Sequence, residues 1–155
     1  MNELLRRELA ALNAEREAER AAAFEWVASY HEGAHAIAAH HLGGEVQYIT
    51  NREVSWIPPR DCGPVQCAIV TYAGPVASQY CQGKRGRYLR TFSSHCSSDL
   101  ERVFLTLKHD ERELALDAAI DVVTSKWEFI TRLAGYIRPG HTITQSEFLE
   151  VIRFP

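Results

Sequence analysis

The stretch Phe24-Glu25-Trp26-Val27-Ala28-Ser29-Tyr30-His31-Glu32-Gly33-Ala34-His35-Ala36-Ile37-Ala38 decides how the chain is read. Phe24, Val27, Ala28, Ala34, Ile37 and Ala38 mark one apolar face at helical spacing. Gly43-Gly44 follows as a stop, because glycine takes the left-handed conformation that ends helices. Within this helix His31 and His35 stand at i and i+4, one turn apart on the same face, so both imidazoles can reach one ion. Glu32 lies between them, placed to take a proton from a water that the ion activates. Each residue type is one that metal-assisted hydrolysis requires.

Working outward, the first 42 residues contain no proline, and their only glycine is Gly33. Leu5, Leu9 and Leu12 recur at helical spacing among charged residues, which predicts one long helix or two with a break near Ala21–Ala23. Residues 1–23 read as a charged helical leader, through which copies of the chain could assemble. Downstream, Glu45–Ile49 and Glu53–Ile57 alternate as short strands, with Asn51-Arg52 as a hairpin turn. Residues 58–64 are a loop, and Val65–Tyr80 reads as a buried helix that Pro75 kinks or restarts. Gln82–Thr91 reads as a basic loop. Helices are expected over about Ser98–His109 and Glu111–Leu133, the second with Ile120, Val123, Trp127 and Ile130 on one stripe. Arg138-Pro139-Gly140 is a turn, and Thr144–Ile152 a closing helix with Thr144 and Glu147 as its capping box. The fold class is mainly α, of the α+β kind, with a small β-hairpin or short sheet. Trp26, Trp56 and Trp127 read as core anchors.

Composition bounds the function. A chain of 155 residues, 46% apolar and 24% charged, makes one compact domain. A net charge of -3 gives no field for a nucleic-acid backbone, and the one dense basic stretch, Lys84-Arg85-Gly86-Arg87, reads as a solvated loop. No apolar run reaches the roughly 20 residues that span a bilayer, and the charged N-terminal residues lack the apolar core of a secretory signal. The expectation is a soluble, cytoplasmic chain with neither membrane nor nucleic acid as partner. Cys62, Cys67, Cys81 and Cys96 contain no Cys-x-x-Cys, which favours free thiols over a four-thiolate zinc site.

A hydrolytic zinc needs a third protein ligand and an open position for water. On spacing alone Asp99, Glu101, His95 and Glu128 all compete. Ser98 and Glu101 match a capping box, which would make Asp99 an acid favoured by the helix dipole and nothing more. His40 and His41 fall about 140° and about 240° around the helix from His35, away from its ion. They read as surface or satisfied histidines, and His109 and His141 as loop or helix-end residues. His95 and Ser97 are candidates to orient Asp99 or the water.

Three segments, in the same order, resemble the FtsH-type ATP-dependent zinc metallopeptidases. Tyr30-His31-Glu32-Gly33-Ala34-His35-Ala36-Ile37 is similar to that family's zinc helix. Tyr72-Ala73-Gly74-Pro75-Val76-Ala77 is similar to its small-residue helix packed beside the site. Ser97-Ser98-Asp99-Leu100-Glu101-Arg102 is similar to the segment whose aspartate is the third ligand. The tail from Trp127 to Ile152 shares a long helix, a turn and a short closing helix. The resemblance implies His31, His35 and Asp99 as zinc ligands and Glu32 as general base, in a helical, zincin-like metallopeptidase domain over residues 24–155. It implies hydrolysis of peptide bonds in protein or peptide substrates. Gly33-Ala34 reverses the family's usual order, Pro75 replaces a basic residue, and the loop Gly83–His95 differs in composition. No Walker-type Gly-x-x-x-x-Gly-Lys-Ser/Thr segment is present, so the expected substrates are flexible or unfolded segments, cleaved without ATP. The alternative is a catalytically silent zinc-binding interaction or regulatory module, with His95 or Cys96 closing the coordination. A small-molecule amide hydrolase is a third reading.

Overall fold

The computed structural model describes residues 3–92 and 96–153. Helix α1 (Glu3–His41) is followed by strands β1 (Glu45–Ile49) and β2 (Val54–Ile57), then α2 (Pro64–Cys81) and a short 3-10 turn at Gly86–Arg90. Helices α3 (Ser97–Thr106), α4 (His109–Ser125) and α5 (Trp127–Ala134), strand β3 (Ile143–Thr144) and α6 (Gln145–Arg153) complete the order. The class is mainly helical with a small antiparallel sheet, as expected. Among the described residues, no helix is long and apolar enough to cross a membrane.

Of the two expectations for the N-terminal segment, one continuous helix is what forms. Its 39 residues span about 58 Å at 1.5 Å per residue. Leu5, Leu9 and Leu12 are each about half exposed, on turns that stand clear of the other elements. The helix ends where glycine was expected to end it. Gly43 takes φ 82°, its N–H donates to the His40 carbonyl, and the Gly44 N–H donates to the Ala39 carbonyl at 2.9 Å.

The hairpin forms as read. The Thr50 hydroxyl accepts from the Arg52 and Glu53 amides across its turn. Val46 pairs with Trp56 and Tyr48 with Ser55, so Gln47 is an extra residue that shifts the register. That shift lets Val46 and Ile49 both face inward although they are three apart. The third strand, absent from the sequence reading, is only Ile143–Thr144. It pairs with Ile49 and Tyr48 and sets the sheet order β2-β1-β3.

Helix α2 packs against both α1 and α4, and the core lies between them. Ala34 and Ala38 of α1, Ala73, Val76 and Ala77 of α2, and Ala119 and Val123 of α4 are fully buried. The helix runs through Pro75 instead of restarting there. Burial on both faces offsets the lost amide donor, which costs about 3 kcal/mol in an exposed helix.

Three expectations need correction. The predicted helix Glu111–Leu133 is two helices, broken at Lys126 (φ -106°, ψ 14°). The Thr124 and Ser125 hydroxyls donate to the Ile120 and Val122 carbonyls just before the break. Past it, Trp127 stacks on Tyr30 at 5.1 Å and meets the Tyr80 ring edge-on at 4.6 Å. Trp26 is no core anchor: it is 48% exposed and touches the Tyr30 ring edge-on. The basic loop contains the Gly86–Arg90 turn, tied down where Arg90 pairs with Glu113 and Asp117 of α4. None of the four cysteines is joined in a disulfide.

Phe148 of α6 is the largest fully buried side chain, so Phe148→Ala is expected to cost about 3–5 kcal/mol in urea unfolding. A loss below about 1 kcal/mol would mean that α6 does not close the core. The α6 capping box forms as read: the Thr144 N–H and hydroxyl both donate to Glu147 Oε2 at 2.8 Å and hold that carboxyl below its ordinary range. A carboxyl depressed on folding stabilises above its unfolded pKa and stops doing so as pH falls through the folded value. Glu147→Gln should therefore flatten the acid limb of the unfolding midpoint plotted against pH.

Candidate metal centre

Helix α1 places His31 and His35 on its face toward α2, with ring centroids 4.7 Å apart. Helix α2 fixes both rings. The Ser78 hydroxyl donates to the Gly74 carbonyl at 3.1 Å, so its oxygen accepts from His31 Nδ1–H at 2.9 Å. His35 Nδ1–H donates to the Val70 carbonyl at 2.7 Å. Both histidines, when neutral, thus hold their protons on Nδ1 and present the Nε2 lone pair. Those lone pairs point at one carboxylate: Asp99 Oδ2 lies 3.1 Å from His31 Nε2 and 3.7 Å from His35 Nε2.

Two nitrogen acceptors facing a carboxylate oxygen repel unless a cation lies among them. The three donor atoms fall within 4.8 Å of one another. Bonds of about 2.0–2.1 Å in a tetrahedron place ligand atoms about 3.3 Å apart. The two histidine–aspartate separations bracket that value, so the donor set fits a small divalent ion. Two imidazoles and one carboxylate also leave a coordination position for water. Among the described residues, this is the one group of three ligating side chains so arranged.

Gly74 makes the approach possible. A Cβ there would lie 2.7 Å from His31 Nε2 and would overlap the His35 ring. Electrostatics follow from the same packing. Burial lowers the His31 pKa, although Asp99 opposes it. Burial also disfavours charge on His35, but Asp99, Glu32 and the Val70 carbonyl outweigh it and raise that pKa. Asp99 loses solvent too, yet hydrogen bonds and charge attraction from the two imidazoles in their protonated form hold its carboxyl far below the usual carboxylate range. Glu32 is 8% exposed, and burial pushes its carboxyl up to about 7. It lines a cleft of about 380 Å³ together with His31, His35, Asp99, Arg52 and Arg102.

Of the four candidates for a third ligand, Asp99 is the one that the described residues place beside the histidines. Asp99 joins the histidines; Glu101 is exposed, and Glu128 is exposed and paired with Arg132. The expected Ser98–Glu101 capping box does not form, because α3 begins at Ser97 with Cys96 as its N-cap. Asp99 therefore lies inside the first turn and spends its carboxylate on the imidazoles. Cys96 is buried but outside the ligand group, Ser97 is exposed, and His95 lies outside the described residues. His40, His41, His109 and His141 are exposed, as expected. The residues that the sequence did not disclose are Ser78 and Val70. Only the i, i+4 spacing of Gly74 and Ser78 on one helix could have hinted at the first, and a backbone acceptor leaves no residue signature.

Ser78→Ala is expected to weaken affinity for a divalent metal ion about 10- to 100-fold against a competing chelator, with little change in unfolding midpoint. Unchanged affinity would show that the hydroxyl does not orient His31. Gly74→Ala should abolish binding outright by pushing both rings aside. Compared with protein-family models and with curated proteins, the chain matches none.

Proposed function

We propose that the chain is a zinc-dependent peptidase that hydrolyses peptide bonds in flexible or unfolded protein segments. The observation that carries this reading is the pair of oriented imidazoles and a carboxylate converging on one point, with a buried glutamate lining the same cleft. Nitrogen and oxygen donors with one position open suit a hydrolytic zinc. Zinc bound there would acidify water and polarise a carbonyl. Glu32 takes a proton from the attacking water and passes one to the departing amine. Burial keeps its proton affinity near neutrality, which serves both transfers. Arg52 and Arg102 give the cleft two cations to hold substrate carbonyls.

The resemblance of three ordered segments to the FtsH-type zinc peptidases supports the same assignment. On this reading the domain by itself cleaves chains already exposed, without ATP, in the cytoplasm.

Metal analysis of the wild type beside His35→Ala, Asp99→Ala and Glu32→Gln tests the proposal. About one zinc per chain is expected in the wild type and in Glu32→Gln, with little in the other two. Hydrolysis of an unstructured protein should fall by at least about 100-fold in Glu32→Gln. Intact zinc with unchanged hydrolysis in that variant would sink the general-base role. A zinc-loaded wild type that cleaves no peptide would leave a zinc-binding interaction module instead.

A further inference from the structure

The turn that opens α2 brings two of the four cysteines together. Cys62 Sγ lies 3.3 Å from Cys67 Sγ, close enough for an S–H to be shared between them. Backbone geometry, rather than a chance pair of rotamers, sets this contact. The Cys62 N–H donates to the Pro59 carbonyl at 3.0 Å, the Gly63 N–H to Gln66 Oε1 at 3.0 Å, and the Cys67 N–H to the Gly63 carbonyl at 3.1 Å. Gly63 is the N-cap and Pro64 follows it, so the chain enters α2 with little freedom. Both thiols are half-buried, within reach of a small reagent. By contrast the Cys81 S–H donates to the Ser78 carbonyl at 3.4 Å, and Cys96 is buried.

A disulfide holds its sulfurs about 2.05 Å apart, so a closure of about 1.3 Å separates this pair from a bond. The two sulfurs are not equivalent. Burial, the hydrogen bond with Cys67, the charge of a Cys67 thiolate and Asp61 together push the Cys62 thiol up to about 11. Cys62 therefore keeps its proton at neutral pH and directs it at Cys67 Sγ, which leaves Cys67 as the attacking sulfur.

We propose that Cys67 is a peroxide-reactive thiol and Cys62 its resolving partner, the two forming a reversible disulfide at the start of α2. The co-reactant is hydrogen peroxide. The Cys67 thiolate attacks one peroxide oxygen, the O–O bond breaks, and the departing hydroxide takes up the proton that Cys67 gave up. Cys67 is then a sulfenic acid. Cys62 Sγ attacks Cys67 Sγ, the S–OH bond breaks, and the hydroxide leaves as water with the Cys62 proton. Two thiols lose two electrons, and one peroxide becomes two waters. This chemistry needs neither the metal nor peptide cleavage, yet it abuts the metal cleft. The Cys67 carbonyl accepts from the Thr71 hydroxyl at 3.1 Å, Thr71 lines the cleft, and the Val70 carbonyl holds His35. A bond at Cys67 fixes the turn of α2 immediately before both.

The test treats the full chain with hydrogen peroxide and locates the reacted cysteines by differential alkylation and mass spectrometry. The wild type is expected to lose two of its four thiols, at Cys62 and Cys67, with the mass of two hydrogens. Dithiothreitol should restore both, and the helical circular dichroism should stay unchanged throughout. Cys62→Ser removes the resolving thiol, so dimedone, which captures sulfenic acids, should label Cys67 in that variant. In Cys67→Ser the same reagent should label Cys62 at least about tenfold more slowly. A wild type in which Cys62 and Cys67 stay reduced while Cys81 or Cys96 oxidises would overturn the proposal. So would a disulfide that forms only as the helical signal is lost, or equal labelling of the two variants when both retain that signal.

Discussion

The close approach of α2 to α1 at Gly74 is the constraint on which the site depends. Two imidazole rings occupy the volume where any other residue would carry its Cβ. Alanines on both helices, at 34, 38, 73 and 77, remove the side chains that would otherwise keep the axes apart. Only at that spacing do the Ser78 hydroxyl and the Val70 carbonyl come within hydrogen-bond reach of the two Nδ1 atoms. Small residues bury little apolar area each, so cohesion comes from larger ones such as Ile49, Ile130, Leu133 and Phe148. The domain thus separates the residues that give it stability from those that give the site its shape.

Charge balance is the second organising demand. Asp99 and Glu32 bring two carboxyl groups to a place that burial makes poorly solvating, and the imidazoles, whenever they are neutral, offer lone pairs rather than positive charge. Burial weakens the case for a proton on His31, while Asp99 and Glu32 strengthen it on His35. A divalent cation satisfies every one of these groups at once, where a single proton satisfies one pair. Helix α3 contributes by delivering Asp99 from its first turn, in place of an acid that merely caps its own helix.

Legibility from sequence tracked how local each determinant is. The His31–His35 pair, the Gly43-Gly44 stop and the Thr144–Glu147 capping box each lie within a few residues, and all stand in the structure as read. The hairpin was equally local, and only its bulge at Gln47 escaped notice. What failed was long-range. Ile143–Thr144 becomes a strand because β1 passes beside it, and two residues carry no strand pattern of their own. The break at Lys126 lies inside a sequence with good helical periodicity on both sides, and the aromatic contacts of Trp127 with Tyr30 and Tyr80 lie far away in the chain. Residue type alone places Trp26 in the core, while its exposure reflects where the other elements stop covering α1. For Asp99, spacing left four candidates open, and only the folded arrangement brings one of them to the imidazoles.

The supports of the two histidines differ in kind. The orientation of His31 rests on a hydroxyl, which a single base change in a codon can delete. The orientation of His35 rests on a main-chain carbonyl, which every amino acid supplies and no substitution at Val70 takes away. One histidine is therefore heritably fragile in its orientation and the other is buffered against mutation for as long as α2 keeps its path. Drift in this lineage would erode the site from the His31 side first, through Ser78, before either histidine itself had changed.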